Sequence, residues 1–222
     1  MASITRTPAV VRANGDATRQ WSTYGWFSFR RTGALVPFKG ALAHDFLTLI
    51  AANPDVFRIS KEVRVLQWYD GEQWRRHAPR YAVYRRRRAS EPPSLLLVDV
   101  LWSWELARNQ TKYARLRKEA DESNLNYRVF TEQDVRVDPR LLNAKTVQKF
   151  AAANSVRKDV VEAVWRFADD REDFSVDDVV SAGVASYADA YAGALHLVAI
   201  GRLTFPLGRR FDADSRIAKR VI

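Results

Sequence analysis

Apolar positions recur at helical spacing over residues 40–52, where Leu42, Phe46, Leu49 and Ile50 share one side and Asn53-Pro54-Asp55 ends the run. Shorter runs with strand character follow at 56–59, 62–69, 75–84 and 95–101, the second and third joined through Asp70-Gly71, a hairpin signal. Residues 85–93 (RRRRASEPP) read as a charged, proline-containing loop. A polar stretch rich in helix formers covers 104–123, with Leu106, Tyr113 and Leu116 as a thin apolar stripe, and a strand is expected over 126–131. Helix, strand meander, buried strand, helix and strand together predict an α/β fold class with a mixed sheet.

Composition shifts over 140–155, and helical patterns then take over at 144–153, 156–169 and 175–182, the last opened by Ser175 with Asp178 three residues on. A further helix is predicted over 186–200, stopped by Gly201, and a small hairpin is expected from 202–205, Pro206-Leu207-Gly208 and 209–211. Helices followed by a two-stranded wing predict a C-terminal winged-helix domain. At the other end, residues 1–20 show no period and read as a loose leader, without the apolar core of a signal peptide. Residues 21–31 (WSTYGWFSFRR) fit either a short strand or a phosphate-contacting arm. The expected organisation is a leader or arm over 1–35, an α/β domain over 36–143 and a winged-helix-like domain over 144–222.

Charge changes this picture. The 222-residue chain carries a net +10, and residues 1–155 hold 26 basic and 15 acidic side chains against 10 and 11 in the remainder. A polyanionic partner is therefore expected for the first part of the chain only. Arg75 and Arg76, with the run Arg85, Arg86, Arg87 and Arg88, form the densest basic cluster and are the candidate DNA-backbone contacts. Trp21, Tyr24, Trp26 and Phe27 fit base stacking or core packing. There is no cysteine, which removes disulfides, thiolate metal sites and cysteine nucleophiles and suits a reducing cytoplasm. No apolar run approaches the ~18 residues of a membrane span, so no membrane partner is expected.

Several short motifs in the first domain share an order with a known family. These are Val36-Pro37-Phe38, then Gly40-Ala41-Leu42-Ala43-His44-Asp45-Phe46, the turn Asn53-Pro54-Asp55-Val56, and His77-Ala78-Pro79-Arg80-Tyr81. Asp99-Val100-Leu101 ends the buried strand, Leu125 to Arg136 contains Thr131-Glu132-Gln133-Asp134-Val135-Arg136, and Asn143 follows. Over residues 36–143 the chain resembles the TnsA-type endonuclease subunit of heteromeric bacterial transposases. The resemblance implies a restriction-endonuclease-like N-terminal domain, a C-terminal winged-helix interaction platform, and partners comprising DNA, a DDE-type transposase and an AAA+ transposition regulator. It also implies a site of a helix glutamate, a P-D aspartate, a strand carboxylate and a lysine two residues later, with the carboxylates holding Mg2+.

At those positions this chain has Ala43, Arg80, Asp99 and Leu101. Only Asp99 keeps its chemistry, and a cation at Arg80 opposes Mg2+, so an inactive nuclease with no cofactor is expected; an active enzyme would need Mg2+ and ligands drawn from Asp45 and Glu105 beside Asp99. Asp99 itself fits either a vestigial metal ligand or a structural ion pair with Arg80 on the neighbouring strand. Trp102 and Trp104 flank that pocket, as filling or as a partner surface. The helix at 186–200 has no Lys or Arg, and Ala185, Ala188, Ala190, Ala192, Gly193 and Ala194 suggest a smooth face for protein contact rather than base reading. Arg202, Arg209 and Arg210 leave the wing able to touch a DNA backbone.

Overall fold

The computed structural model describes residues 5–7, 22–61, 63–70, 72–86, 92–152 and 154–220. Strands β1 (Thr5–Thr7), β2 (Ser22–Phe29) and β3 (Ala34–Lys39) form an antiparallel sheet in that order. Phe27 and Phe29 of β2 are buried in one core with Val36 and Phe38 of β3. Residues 22–29 are therefore a strand of the folded unit, with Phe27 in the core, while Tyr24 and Trp26 on the same strand are 39% and 55% exposed. Trp21 and most of the expected leader lie outside the described residues.

Gly40, at a φ of 89°, turns the chain out of β3 and into α1 (Ala41–Ala52). A second sheet follows, from β4 (Val56–Ser60), β7 (Tyr81–Arg85), β8 (Ser94–Val100) and β9 (Asn126–Phe130) in that spatial order. The pairs β4–β7 and β7–β8 are antiparallel and β8–β9 is parallel, so the sheet is mixed. The parallel pair needs a crossover, supplied by α2 (Ser103–Arg108) and α3 (Gln110–Glu122). Between β4 and β7 the chain makes a separate hairpin, β5 (Leu66–Tyr69) with β6 (Trp74–His77). The expected strand over 75–84 is thus broken at Ala78-Pro79, where proline offers no ladder donor. The expected helix over 104–123 is broken at Asn109.

Strand β8 is apolar on both faces because both faces are covered. Leu96, Val98 and Val100 pack with Leu42, Phe46 and Leu47 of α1 and with the β2–β3 sheet. Leu97 points the other way, into Leu116 and Ala120 of α3 and Leu66 of the hairpin. Alternation also aims Asp99 at the α3 side.

After α4 (Glu132–Val135) and α5 (Arg140–Lys149), the remainder comprises α6 (Lys158–Asp169), β10 (Asp173–Phe174), α7 (Val176–Ser181), α8 (Tyr187–Ala199), β11 (Leu203–Thr204) and β12 (Ile217–Lys219). The expected cap is present: Ser175 Oγ accepts from the Asp178 amide at 3.1 Å. The expected hairpin is not as predicted, since β11 pairs with β12 and residues 209–211 form no strand. Ile217 takes the fully buried core position, while Asn143 holds the intervening loop by donating from Nδ2 to the Leu207 and Arg209 carbonyls (2.9 and 2.6 Å) and accepting from the Phe211 amide (3.1 Å). Of the smooth face expected on α8, Ala188 is exposed and Ala185 and Ala192 are half-buried, while the rest is covered. Ala190, Gly193, Ala194, Leu195, Leu197 and Val198 are buried in the chain's own core, with Gly193 so close to α6 that a Cβ there would meet Val164 Cγ2 at 3.0 Å.

On α1, His44 packs its ring against Phe27 and Phe38, with centroids 5.9 and 4.9 Å apart. Burial holds its imidazole below the ordinary value of 6.5, and Lys145 adds to this against the opposing pull of Asp45. The unfolded chain then takes up the proton first, so this contribution to stability is present above about pH 6.5 and is lost as pH falls toward the folded value. His44→Phe should narrow the gap between urea midpoints measured at pH 7.5 and pH 5.5.

Candidate functional site

The fold brings Ala43, Arg80 and Leu101 together. They line a cleft of about 600 Å³ whose walls also include Lys39, Trp102 and Glu105. Asp99 lies in an adjoining recess of about 400 Å³ that shares Arg80, Leu101 and Glu105 with the first and adds His77 and Tyr113. All four positions singled out in the sequence therefore converge on one end of the sheet.

Asp99 is 5% exposed and both of its oxygens accept hydrogen bonds. Oδ2 bonds His77 Nε2 and the Tyr127 hydroxyl, each at 2.6 Å, and Oδ1 accepts from the Arg80 backbone amide at 3.1 Å. The expected ion pair with the Arg80 guanidinium is absent. Arg80 immediately precedes β7, and its amide faces Asp99 while its side chain turns into the larger cleft, donating from Nη1 to the Lys39 carbonyl at 3.3 Å. Burial, then the charge of Asp99 and its hydrogen bond, hold the Tyr127 phenol far above its ordinary value; burial and the same carboxylate also raise Tyr113.

The alternative ligands are engaged elsewhere. Asp45 pairs with Arg136 Nε and Lys145 Nζ, each at 2.9 Å, and so fastens α1 to the start of the second half. Glu105 accepts from the Trp102 amide at 3.0 Å and so ties down the start of α2. The donor set does not fit a magnesium ion: the larger cleft presents Arg80 and Lys39, and each carboxylate near it already accepts protein hydrogen bonds.

The Thr131–Arg136 motif has a structural account. Asp134 caps α4 by accepting from the Thr131 amide and hydroxyl (2.9 and 3.1 Å). Glu132 accepts from the Ser103 amide at 2.8 Å and from the Ser103 hydroxyl, and Arg136 reaches Asp45.

The four candidate DNA-contacting arginines among the described residues are divided between two places. Arg75 and Arg76 stand on the β5–β6 hairpin, where with Trp68 and with Lys112 and Arg115 of α3 they line a groove of about 370 Å³. Pleating puts Leu66, Trp68, Arg75 and His77 on the inner face and Gln67, Tyr69, Trp74 and Arg76 on the outer one. Tyr69 and Trp74 are 56% and 69% exposed, with ring centroids 5.9 Å apart. Arg75 is partly neutralised by Asp70 at 2.5 Å, whose carboxyl is held well below the usual range by the Gln73 amide and then by Arg75 itself. Arg76, Lys112 and Arg115 form no ion pair among the described residues.

Arg85 and Arg86 sit instead at the other end of β7, beside the 53–57 turn; Arg87 and Arg88 lie outside the described residues. Sequence reading missed His77, Tyr127 and Tyr113 as partners of Asp99, because that grouping is made across three separate elements. Lys112 and Arg115 were more accessible, since their spacing of three places both on one face of a predicted helix.

No protein-family model matches this chain, and no curated protein shows significant similarity to it. Function is therefore inferred from the geometry.

Proposed function

We propose that this chain is a DNA-backbone-binding protein built on a nuclease-like core without a working metal centre. The observation that carries the reading is the groove between the β5–β6 hairpin and α3. Arg76, Lys112 and Arg115 supply cations with no ion pair there among the described residues, while Tyr69 and Trp74 present exposed aromatic surface on the outer face of the same hairpin. The hydrogen bonds and ion pairs that Asp99, Asp45 and Glu105 already make support a core that does no magnesium-dependent hydrolysis.

The resemblance to TnsA-type subunits extends the proposal to a transposition assembly with a DDE-type transposase and an AAA+ regulator. Within it, the order helix, short strand, two helices and two strands from α6 to β12 supports a winged-helix reading of the second half. Burial of Ala190, Gly193 and Ala194 leaves only the start of α8, with Tyr187 and Ala188, open to a partner. Among the described residues no helix is long and apolar enough to cross a membrane.

Two measurements on the purified chain test the proposal together. Binding to a 20-base-pair duplex should weaken steeply with salt, and supercoiled plasmid should remain un-nicked with Mg2+ or Mn2+. Salt-insensitive or absent binding sinks the DNA reading; metal-dependent nicking that disappears in Asp99→Ala sinks the inactive core.

A further inference from the structure

We propose that Arg31, Arg85, Arg86 and Arg220 form a binding site for a phosphate group at the seam between the two halves of the chain. The four residues come from β7 and its exit, the β2–β3 turn and the end of β12, and they gather round the 53–57 turn. Arg31 Nη1 donates to the Asn53 and Val56 carbonyls, each at 2.6 Å. Arg85 pairs in register with Val56, and the Arg86 amide donates to the Asp55 carbonyl at 2.9 Å. Arg220 Nη2 reaches the Arg86 carbonyl at 3.4 Å, and its own amide donates to the Arg202 carbonyl.

What these side chains lack is an anion. None of the four forms an ion pair among the described residues. Arg31 Nε and Nη2 and the Nε atoms of Arg85, Arg86 and Arg220 are buried without a hydrogen-bond partner, and among the described residues no other buried side-chain nitrogen or oxygen is left so. Leaving donors of charged groups unsatisfied is costly, and repulsion between Arg31 and Arg220 adds to that cost. Arg31 shows the strain: burial, and then the charge of Arg220, lower it from 12.5 to about 10, with Asp55 as the opposing influence. Guanidinium forks match the oxygens of a tetrahedral phosphate and bind it through paired N–H donors. The shared chemistry is phosphate, whether free or as the phosphodiester of a nucleic acid. This site is separate from the hairpin groove and does not depend on it.

The test compares melting of the full chain in sodium phosphate and in sodium chloride at equal pH and ionic strength. Arg86→Gln/Arg220→Gln is the paired variant, with Arg31 kept because it ties down the carbonyls after α1. Phosphate should raise the parent's melting temperature saturably by about 3 °C, and the variant should lose that shift while melting no lower in chloride, its repulsion having been removed. A 20-base-pair duplex forms the second arm, where the variant should bind roughly 10-fold more weakly. A phosphate shift lost in the variant identifies free phosphate as sufficient. No shift, with weaker duplex binding, identifies the phosphodiester as the ligand. An equal shift in both proteins is salting-out and overturns the proposal, as does a variant that melts several degrees lower in chloride or leaves both readouts unchanged. If substitution of Arg76, Lys112 and Arg115 leaves duplex binding intact while the phosphate shift persists, the groove reading fails and this site stands.

Discussion

Asp99→Ala should destabilise the chain by about 3 kcal/mol, because each buried donor left unpaired costs roughly 1–3 kcal/mol and water can relieve only part of that. The Tyr127 hydroxyl, His77 Nε2 and the Arg80 amide all turn on this one carboxylate, and they join β9, the hairpin and the start of β7 to β8. Asp99→Asn should cost about half as much, since its oxygen can keep the Arg80 amide and the His77 tautomer can adjust to accept from the new amide. Urea unfolding reads this as a lowered midpoint at constant slope. A carboxylate retained chiefly for metal would give the opposite: removing it would leave the metal-free protein's stability unchanged or improved. That result would reopen the endonuclease.

The combined substitution Arg76→Gln/Lys112→Gln/Arg115→Gln should weaken duplex binding on the order of 10²-fold near 0.1 M salt, since each lost phosphate contact removes about 0.9 from the log–log salt slope. The slope should therefore fall by between two and three. Stability should stay within about 0.5 kcal/mol of the parent, because Arg76 and Arg115 are exposed and Lys112 borders the groove. Fluorescence anisotropy across a salt series measures both quantities. An unchanged slope would mean that phosphates bind elsewhere, with the arginines round the 53–57 turn as the next place to look. Tyr69 and Trp74 offer an internal comparison: replacing them should reduce affinity with no change of slope, because stacking releases no counterions.

Periodicity and punctuation in the sequence determined most of the elements and their order. Residues 40–52 are helical because apolar side chains recur every three or four positions and a proline turn ends them; 95–101 had to be a covered strand because nothing in it but Asp99 tolerates water. These are local properties, and local physics decides them. The capping pair Ser175 and Asp178 and the mixed sheet were legible for the same reason. Tertiary structure decided everything that depends on which segments meet. It put Phe27 and Phe29 of β2 into the core while leaving Tyr24 and Trp26 exposed, and it buried Ala190, Gly193 and Ala194 of α8 while leaving Ala188 at the surface. It also matched β11 with β12 rather than with 209–211, because Ile217 fills a core position and Asn143 holds the loop between. The site divides in the same way. That Ala43, Arg80 and Leu101 carry no carboxylate could be read from the chain, but Asp99's partners could not, because His77 and Tyr127 lie 22 and 28 residues away. Nor could the sequence show that Arg75 and Arg76 stand on a different surface from Arg85 and Arg86, since residues ten apart part company wherever a strand ends and the backbone turns.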